Sequence, residues 1–71
     1  MRQRVEAELV ANVIKVEVRP GDPVSGGDML VLLESMKMEI PVLAENAGTV
    51  TEVSVAVGDV IQAGDLIAII E

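Results

Sequence analysis

The stretch GDPVSGGD, Gly21–Asp28, returns later in the chain as GDVIQAGD, Gly58–Asp65. Glycine tolerates the positive φ that tight turns require, and aspartate accepts hydrogen bonds from nearby backbone N–H groups. Each stretch therefore predicts a pair of tight turns. A metal site is the competing interpretation, but the acidic residues are too few and too widely spaced for a calcium-binding loop. The recurrence of the whole stretch indicates a fold with two equivalent halves.

A shift of 37 residues aligns 5–34 with 42–71 without a gap, and 11 of these 30 pairs are identical. Paired Gly-Asp turns in register are not expected by chance, even in a valine-rich chain. We therefore predict one domain, residues 1–71, built from these two halves. Residues 35–41 join the halves as a hairpin. The identical pairs are Val5/Val42, Ala7/Ala44, Glu8/Glu45, Val13/Val50, Val16/Val53, Val18/Val55, Gly21/Gly58, Asp22/Asp59, Gly27/Gly64, Asp28/Asp65 and Glu34/Glu71.

The apolar residues favour strands over helices. The chain has no Phe, Trp or Tyr, and its 13 valines and 6 isoleucines outnumber its 6 leucines. β-branched side chains are restricted at χ1 and fit a pleated sheet better than a helix. Polar and apolar residues also alternate with a period of two, which is typical of half-buried strands. The residues predicted to point inward are Ile14, Val16 and Val18 in the first half and Val53, Val55 and Val57 in the second.

Eight strands follow from this pattern. Runs 29–33 and 66–70 are continuously apolar, so the strands that contain them are expected to be more deeply buried. Two equivalent halves, each unable to cover its apolar face alone, are expected to pack on each other. We predict an all-β fold, a flattened barrel or sandwich of two four-stranded sheets with quasi-twofold symmetry. The predicted strands are 5–10, 13–19, 23–25, 29–35, 38–43, 50–56, 60–62 and 66–71.

Charge and composition exclude several classes of function. The net charge is −7, so the basic face of a nucleic-acid-binding protein is missing, as are aromatic stacking platforms. No apolar run reaches about 18 residues, so no transmembrane segment is predicted. The chain contains neither histidine nor cysteine, which argues against a zinc site, disulfides and the commonest catalytic groups. We expect a cytoplasmic protein that has no catalytic residues or metal ligands and contacts neither nucleic acid nor membrane.

Lys37 is one of two lysines, and it lies between two methionines in the joining segment Ser-Met-Lys-Met-Glu-Ile-Pro. A short joining segment has to form a tight hairpin, with Lys37 at or beside its tip. The segment lacks Asn-Gly and Asp-Gly, the pairs that favour tight hairpin turns. Met and Lys in such a turn are expected to carry strain of about 1–3 kcal/mol per residue. Departures from local rules of this kind are expected at functional sites.

The segment Glu34-Ser35-Met36-Lys37-Met38-Glu39 resembles the modification site of biotinyl domains, whose hallmark is Met-Lys-Met on a hairpin. The resemblance covers the whole chain, because those domains are also quasi-twofold β-sandwiches with G-D-x-V-x-x-G-[DQ] turns in each half. Gly21–Asp28 matches that pattern, and Gly58–Asp65 matches it with Ile61 in place of valine. Some bacterial carriers have a thumb insertion in the first half, and the ungapped repeat predicts none here. The chain is most similar in this respect to a short, free-standing biotin carboxyl carrier protein.

The resemblance implies that a biotin protein ligase joins biotin to Nζ of Lys37 as an amide, by way of biotinyl-AMP. The biotin arm would then carry carboxylate from a biotin carboxylase to a carboxyltransferase, and the carrier would supply no catalysis. Met36 and Met38 are expected to present adaptable contact area to these partners, unless they simply fill the core. Glu34 is either a recognition residue for the ligase or a solvated charge at a strand end.

Other interpretations stay open on the sequence alone. A lipoyl carrier has the same fold, although methionine on both sides of the lysine favours biotin. An unmodified interaction module would keep the fold without the modification. A domain excised from a larger biotin enzyme is also compatible with the chain. In each case we expect a monomer.

Overall fold

The computed structural model describes residues 2–71, which form eight β-strands and no helix. β4 and β5, the strands on either side of the joining turn, have the bounds that the sequence predicts. The strands are β1 (Gln3–Glu6), β2 (Ala11–Val16), β3 (Pro23–Val24), β4 (Met29–Ser35), β5 (Met38–Leu43), β6 (Gly48–Val53), β7 (Val60–Ile61) and β8 (Leu66–Ile70).

The strands form two four-stranded antiparallel sheets, in the orders β1-β8-β6-β3 and β5-β4-β2-β7. The offset of 37 residues converts β2 into β6 and converts one sheet order into the other. We call two residues related by this offset twins. The sheets are therefore related by a quasi-twofold, and the predicted fold class is confirmed. Between β2 and β4 the first half contains no insertion relative to the second half, as the ungapped repeat predicted.

The Gly-Asp stretches form turns with the expected chemistry. Oδ2 of Asp22 accepts a hydrogen bond from the backbone N–H of Arg19 at 2.9 Å. Asp28 accepts the equivalent bond from Ser25 at 2.8 Å. The glycine before each aspartate has a φ between 93° and 99°, a region in which only glycine is unstrained. The second half repeats both bonds, from Ala56 to Asp59 and from Gln62 to Asp65, each at 2.9 Å.

The first turn of each Gly-Asp stretch also bonds to a strand of the other half. The N–H of Gly21 donates to the carbonyl of Val50 at 2.7 Å, and the twin bond from Gly58 to Val13 is 2.8 Å long. Each sheet contains two strands from each half, so neither half can complete a sheet by itself. The two halves therefore depend on each other for their backbone hydrogen bonds.

The core is aliphatic and occupies equivalent positions in the two halves. Leu33 and its twin Ile70 are each 1% exposed, and Leu30 and its twin Ile67 are fully buried. No polar or charged residue belongs to the core formed by residues 2–71. Truncation of one such side chain costs about 2–5 kcal/mol. That is a large share of the stability of a domain of this size, because native domains retain only about 0.05–0.15 kcal/mol per residue.

The inward residues of β2 differ from the predicted set because the strand contains a bulge. Val13 pairs with Leu33, but the next paired residue, Lys15, pairs with Leu32, so Ile14 is an extra residue. A bulge of this kind interrupts the alternation of side chains. Val13 is consequently 1% exposed, whereas Ile14, which was expected inside, is only half-buried.

β6 contains the twin bulge, since Val50 pairs with Ile70 and Glu52 pairs with Ile69. The prediction for Val57 is wrong, because this side chain is 65% exposed in the turn that follows β6. The alternation of inward and outward side chains therefore stops where the chain is no longer paired with a neighbouring strand. Of the other residues predicted to point inward, Val18 is buried and Val16, Val53 and Val55 are half-buried.

Several strand ends also differ from the prediction. β1 ends at Glu6 rather than near residue 10, because the N–H of Ala7 bonds to Asp65 in a turn and the chain then crosses to the other sheet. β2 and β6 begin two residues earlier and end three residues earlier than predicted. The extended segment after β2 keeps one bond, from the N–H of Glu17 to Leu30 at 2.9 Å, which explains why it reads as strand in the sequence.

Candidate functional site

Met36 and Lys37 form a two-residue turn between β4 and β5. The last paired residues are Ser35 and Met38, which leaves only these two between them. Their φ angles are 52° and 65°. Positive φ at both central positions is the feature of the type I′ hairpin turn, which matches the twist of the flanking strands and normally takes Asn or Gly. Lys37 therefore lies at the tip of a tight hairpin.

The turn is strained by its side chains. A residue with a Cβ atom that is held at positive φ costs on the order of 1–3 kcal/mol. Within residues 2–71, Met36 and Lys37 are the only residues other than glycine with positive φ. The non-glycine backbone strain is thus concentrated in the segment that the sequence marks as functional.

The side chains at the tip face solvent. Met36 is 92% exposed and Met38 is 66% exposed, which excludes core filling as the reason for either methionine. Lys37 is exposed too, and its ammonium has no ion-pair partner in the part of the chain that the structure describes. The amine is therefore accessible to an enzyme that approaches from outside.

Two carboxylates flank the turn on the outer face of its sheet. Glu34 and Glu39 are direct partners across β4 and β5, one register step before the last pair. Leu33, the neighbour of Glu34 along β4, is buried, so Glu34 points away from the core. Neither carboxylate forms an ion pair with another residue of 2–71. The structure places Glu34 beside the turn, and its recognition role stays a prediction.

The hairpin lies at one end of a domain that measures 32 × 18 × 17 Å. β2 begins beside it, where Asn12 pairs with β4. The same segment of chain continues to the other end, where Gly21 bonds to Val50, and Val50 pairs with Ile70 at the end of β8. The last strand therefore ends far from Lys37 and does not obstruct an approach to the turn.

The site is a protrusion rather than a pocket. A groove of about 540 Å³ runs between the edge strands β1 and β5, lined in part by Leu33, Ile40 and Val42. Lys37 and its two methionines do not line this groove. The arrangement suits a group that is attached to a projecting side chain better than a ligand that is enclosed.

The site offers one kind of chemistry, that of an exposed primary amine. The described residues contain no group of three or more His, Cys, Asp or Glu side chains that could hold a metal ion. Nor does any helix of sufficient length and apolarity to cross a membrane occur in residues 2–71. The amine can accept an acyl group to form an amide, if another protein supplies the activated acyl group and accepts the proton.

The sequence profile of the family described as "Biotin-requiring enzyme" matches residues 5–70, which include both halves and the hairpin. This chain belongs to the biotin/lipoyl attachment family. The biotin/lipoyl domain spans all eight strands apart from the first residues of β1.

Two curated relatives of this biotin/lipoyl domain are named for biotinylation. A biotinylated protein TB7.3 homolog from Mycobacterium leprae is 67% identical over 48 residues, which are 68% of each chain. A homolog of the same name from Mycolicibacterium smegmatis is 68% identical over 44 residues, and the match spans 62% of that protein.

Two solved structures share the fold of the biotin/lipoyl domain. The urea carboxylase of Kluyveromyces lactis superposes with a TM-score of 0.92 at 32% identity, over 100% of this chain and 6% of that one. The lipoyl domain of the 2-oxoglutarate dehydrogenase complex from Azotobacter vinelandii superposes with a TM-score of 0.78 at 23% identity, over 94% and 95%. The second likeness shows the fold alone, because its identity is low.

The register of the sheet adds neighbours that sequence reasoning did not assign to the site. Glu34 lies between Glu39 on one side and Asn12 on the other, and Asn12 in turn pairs with Val60. These residues come from segments that are distant in the chain. Only cross-strand register could have revealed them, and a local pattern does not specify register where strands contain bulges.

Proposed function

We propose that the protein is a biotin carrier in which biotin is attached to Lys37. The observation that carries the proposal is the position of this lysine, which is exposed at the tip of a strained two-residue turn between Met36 and Met38. Membership of a biotin-requiring family and the similarity to proteins named as biotinylated support biotin as the attached group.

Attachment is an acyl transfer that a biotin protein ligase performs. The unprotonated Nζ of Lys37 attacks the carbonyl carbon of biotinyl-AMP, and an amide bond forms. The bond between that carbon and the phosphate oxygen breaks, and AMP leaves with its electron pair. The amine loses a proton to the ligase or to water. The carrier contributes an amine that no carboxylate of residues 2–71 holds in an ion pair.

The attached biotin then carries carboxylate from a biotin carboxylase to a carboxyltransferase. The likeness to a domain within urea carboxylase supports this role. The pairing of β4 with β5 continues up to Ser35 and Met38, so the base of the arm is held by the sheet. Flexibility within the carrier at this site is therefore confined to the lysine side chain and the biotin chain, and the carrier supplies no catalytic group.

A lipoyl carrier is the alternative, because a lipoyl domain has the same fold. Two observations favour biotin. The identity to the urea carboxylase is 32%, against 23% to the lipoyl domain. The lysine also has methionine on both sides. In an unmodified interaction module, the strained turn at Met36 and Lys37 would lower stability and serve no function.

Mass spectrometry of the protein isolated from its host tests the proposal. The expected product carries one biotinyl group, located on Lys37 by fragmentation. Lys37→Arg abolishes the modification, because the guanidinium is not deprotonated in proteins and cannot act as the nucleophile. Lys15→Arg is the matched control, since Lys15 is the other lysine of the chain and is exposed on β2.

Three results contradict the proposal. A lipoyl increment on Lys37 would establish the alternative carrier. A biotinyl group on Lys15 would show that exposure of a lysine suffices without the hairpin. An unmodified chain in a host with active biotin ligase would favour the interaction module.

We also propose that the carrier is a monomer. A net charge of −7 opposes self-association, because copies of the chain repel each other. Sedimentation equilibrium at low and high salt checks this. A single species of monomer mass at both salt concentrations is expected, and a dimer at low salt contradicts the proposal.

A further inference from the structure

Four residues lie side by side on the outer face of the sheet that carries the hairpin. In register across β5, β4, β2 and β7 they are Glu39, Glu34, Asn12 and Val60. Cross-strand partners share one face of a sheet. This face points away from the core, because Asn12 is exposed whereas its neighbour Ala11 is 4% exposed.

Large apolar side chains are exposed on this face or at its border. Val60 is 67% exposed at the end of the row, and Val10 is 61% exposed. Val10 directly precedes Ala11, the first residue of β2, so it lies beside this face at the end of the strand that is nearer the turn. Met36, which is 92% exposed, lies in the turn between the paired residues Ser35 and Met38. We call Val10, Val60 and Met36, with Glu34 and Glu39, the outer patch.

The quasi-twofold supplies an internal control for this patch. The twin of Val10 is Ala47 and the twin of Val60 is Pro23, both exposed. The same backbone positions therefore hold smaller side chains at the end of the domain that lacks the lysine. Singly exposed apolar residues are ordinary on protein surfaces. Here, however, the fold does not require the valines, and they occur together at the end that bears Lys37.

The charge of the outer patch indicates what kind of surface covers it. Glu34 and Glu39 border the aliphatic residues, and the chain as a whole carries −7. A second copy of this chain would bring like charges together, which disfavours it as the occupant. The fitting partner has an apolar depression bordered by Lys or Arg side chains.

The length of the lysine side chain selects among the proposed partners. The ligase has to act on Nζ itself, so its surface must come within one side-chain length of the turn. An enzyme that acts on the finished arm meets the ring at the far end of the biotin chain and can stay further from the sheet. The ligase is therefore the partner that must contact the part of the sheet next to Lys37.

We infer that the outer patch is the docking surface for the protein ligase that acylates Lys37. This inference rests on the proposed function. Val10 and Val60 enter an apolar depression of the ligase, while Glu34 and Glu39 meet its basic border. The patch sets the affinity of the ligase for the carrier and leaves the chemical step to the ligase.

The test uses initial rates of biotinylation with the host's biotin protein ligase, ATP and biotin, at varied carrier concentration. The double variant Val10→Thr/Val60→Thr keeps β-branched side chains and removes apolar contact area. Its KM is expected to rise about fivefold or more, with kcat within about twofold of the wild type. Urea denaturation checks that the variant has the wild-type midpoint.

Two matched controls separate the outer patch from general surface effects. Val57→Thr makes the same chemical change at a side chain of similar exposure, 65% against 67%, in a turn outside the patch. Ala47→Val adds aliphatic surface at the end without the lysine. Both are expected to leave KM and kcat within about twofold of the wild type.

The outcomes distinguish the two proposals. If wild-type protein is not biotinylated on Lys37, the proposed function fails. If it is biotinylated and the double variant has the wild-type KM, the docking inference alone is overturned. A wild-type KM for the ligase together with slower turnover by a carboxylase would assign the outer patch to that enzyme and would also overturn the inference.

Discussion

Glu34 and Glu39 face each other across β4 and β5, one register step before the Ser35–Met38 pair that closes the turn carrying Lys37. The two carboxylates have no ion-pair partner within the described chain. Directly opposed like charges destabilise a strand pair. The hairpin thus combines two unfavourable features, a repulsive pair and a strained turn, next to the residue that the proposed function uses.

We predict that Glu39→Gln stabilises the protein, because it removes the repulsion from Glu34. The expected gain is about 0.2–1 kcal/mol in the free energy of unfolding at low salt. Screening at 1 M salt, where the Debye length is about 3 Å, should remove most of the gain. Urea denaturation at both salt concentrations measures it. Glu17→Gln, at an exposed position, controls for the change in net charge. An equal gain in this control contradicts the prediction.

A second prediction concerns the strain in the turn. Met36→Asn should raise the free energy of unfolding by about 1 kcal/mol, because asparagine adopts positive φ more readily than methionine. The midpoint of urea denaturation measures the change. Met38→Asn makes the same replacement at an exposed strand position without positive φ, and it should not stabilise. If both variants lose stability to the same extent, the turn does not carry the strain that its φ angles indicate.

The repeat explains why the architecture could be predicted from the sequence. Equivalent Gly-Asp turns at a constant offset specify two equivalent halves, and the alternation of valines specifies strands. The bulges could not be predicted, because Ile14 and its twin Thr51 are apolar or β-branched like their neighbours. Which of these residues is extra depends on the register with β4 and β8. This is why Ile14 was expected inside, where Val13 is found.

Only the part of the site that lies in one continuous segment of sequence could be predicted. Lys37 stands out because Met and Lys occupy a turn that normally takes Asn and Gly, and this conflict is visible in a segment of seven residues. The neighbours Asn12 and Val60 could not be found in the same way. Their proximity to Glu34 arises from strand order, which places β2 and β7 beside β4.

The third prediction is that the two halves respond equally to loss of the same turn bond. Asp22→Ala and Asp59→Ala each remove an acceptor for a backbone N–H at 2.9 Å. Each should cost about 0.5–1.5 kcal/mol of unfolding free energy, and the double variant should lose the sum, because the turns share no partner. Asp22→Asn, which retains an oxygen acceptor, should lose less. If the two alanine variants differ by more than about 1 kcal/mol in the unfolding free energy that they lose, the equivalent turns do not stabilise the two halves equally.

The last prediction uses a position where the quasi-twofold is broken. A Cβ atom on Gly48 would lie 2.7 Å from the carbonyl oxygen of Glu71 and 2.7 Å from Cγ2 of Ile70. Its twin Ala11 carries a Cβ atom and is 4% exposed, so the equivalent space beside β4 is available. The end of β8 therefore approaches β6 more closely than β4 approaches β2. Gly48→Ala should cost about 1–3 kcal/mol, because the neighbouring backbone has to move.

The displacement should be local as well as destabilising. Thr49 and Glu71 exchange two backbone hydrogen bonds, of 2.7 and 2.8 Å, next to the crowded atom. In Gly48→Ala, hydrogen exchange of these two amides should accelerate more than that of amides in β4, which lies in the other sheet. Ala11→Gly is the matched control, and it should lose about 1–2 kcal/mol through added flexibility of the unfolded chain and loss of one buried methyl group. A Gly48→Ala variant with wild-type stability and unchanged exchange at Thr49 would show that β8 can withdraw from β6 without cost.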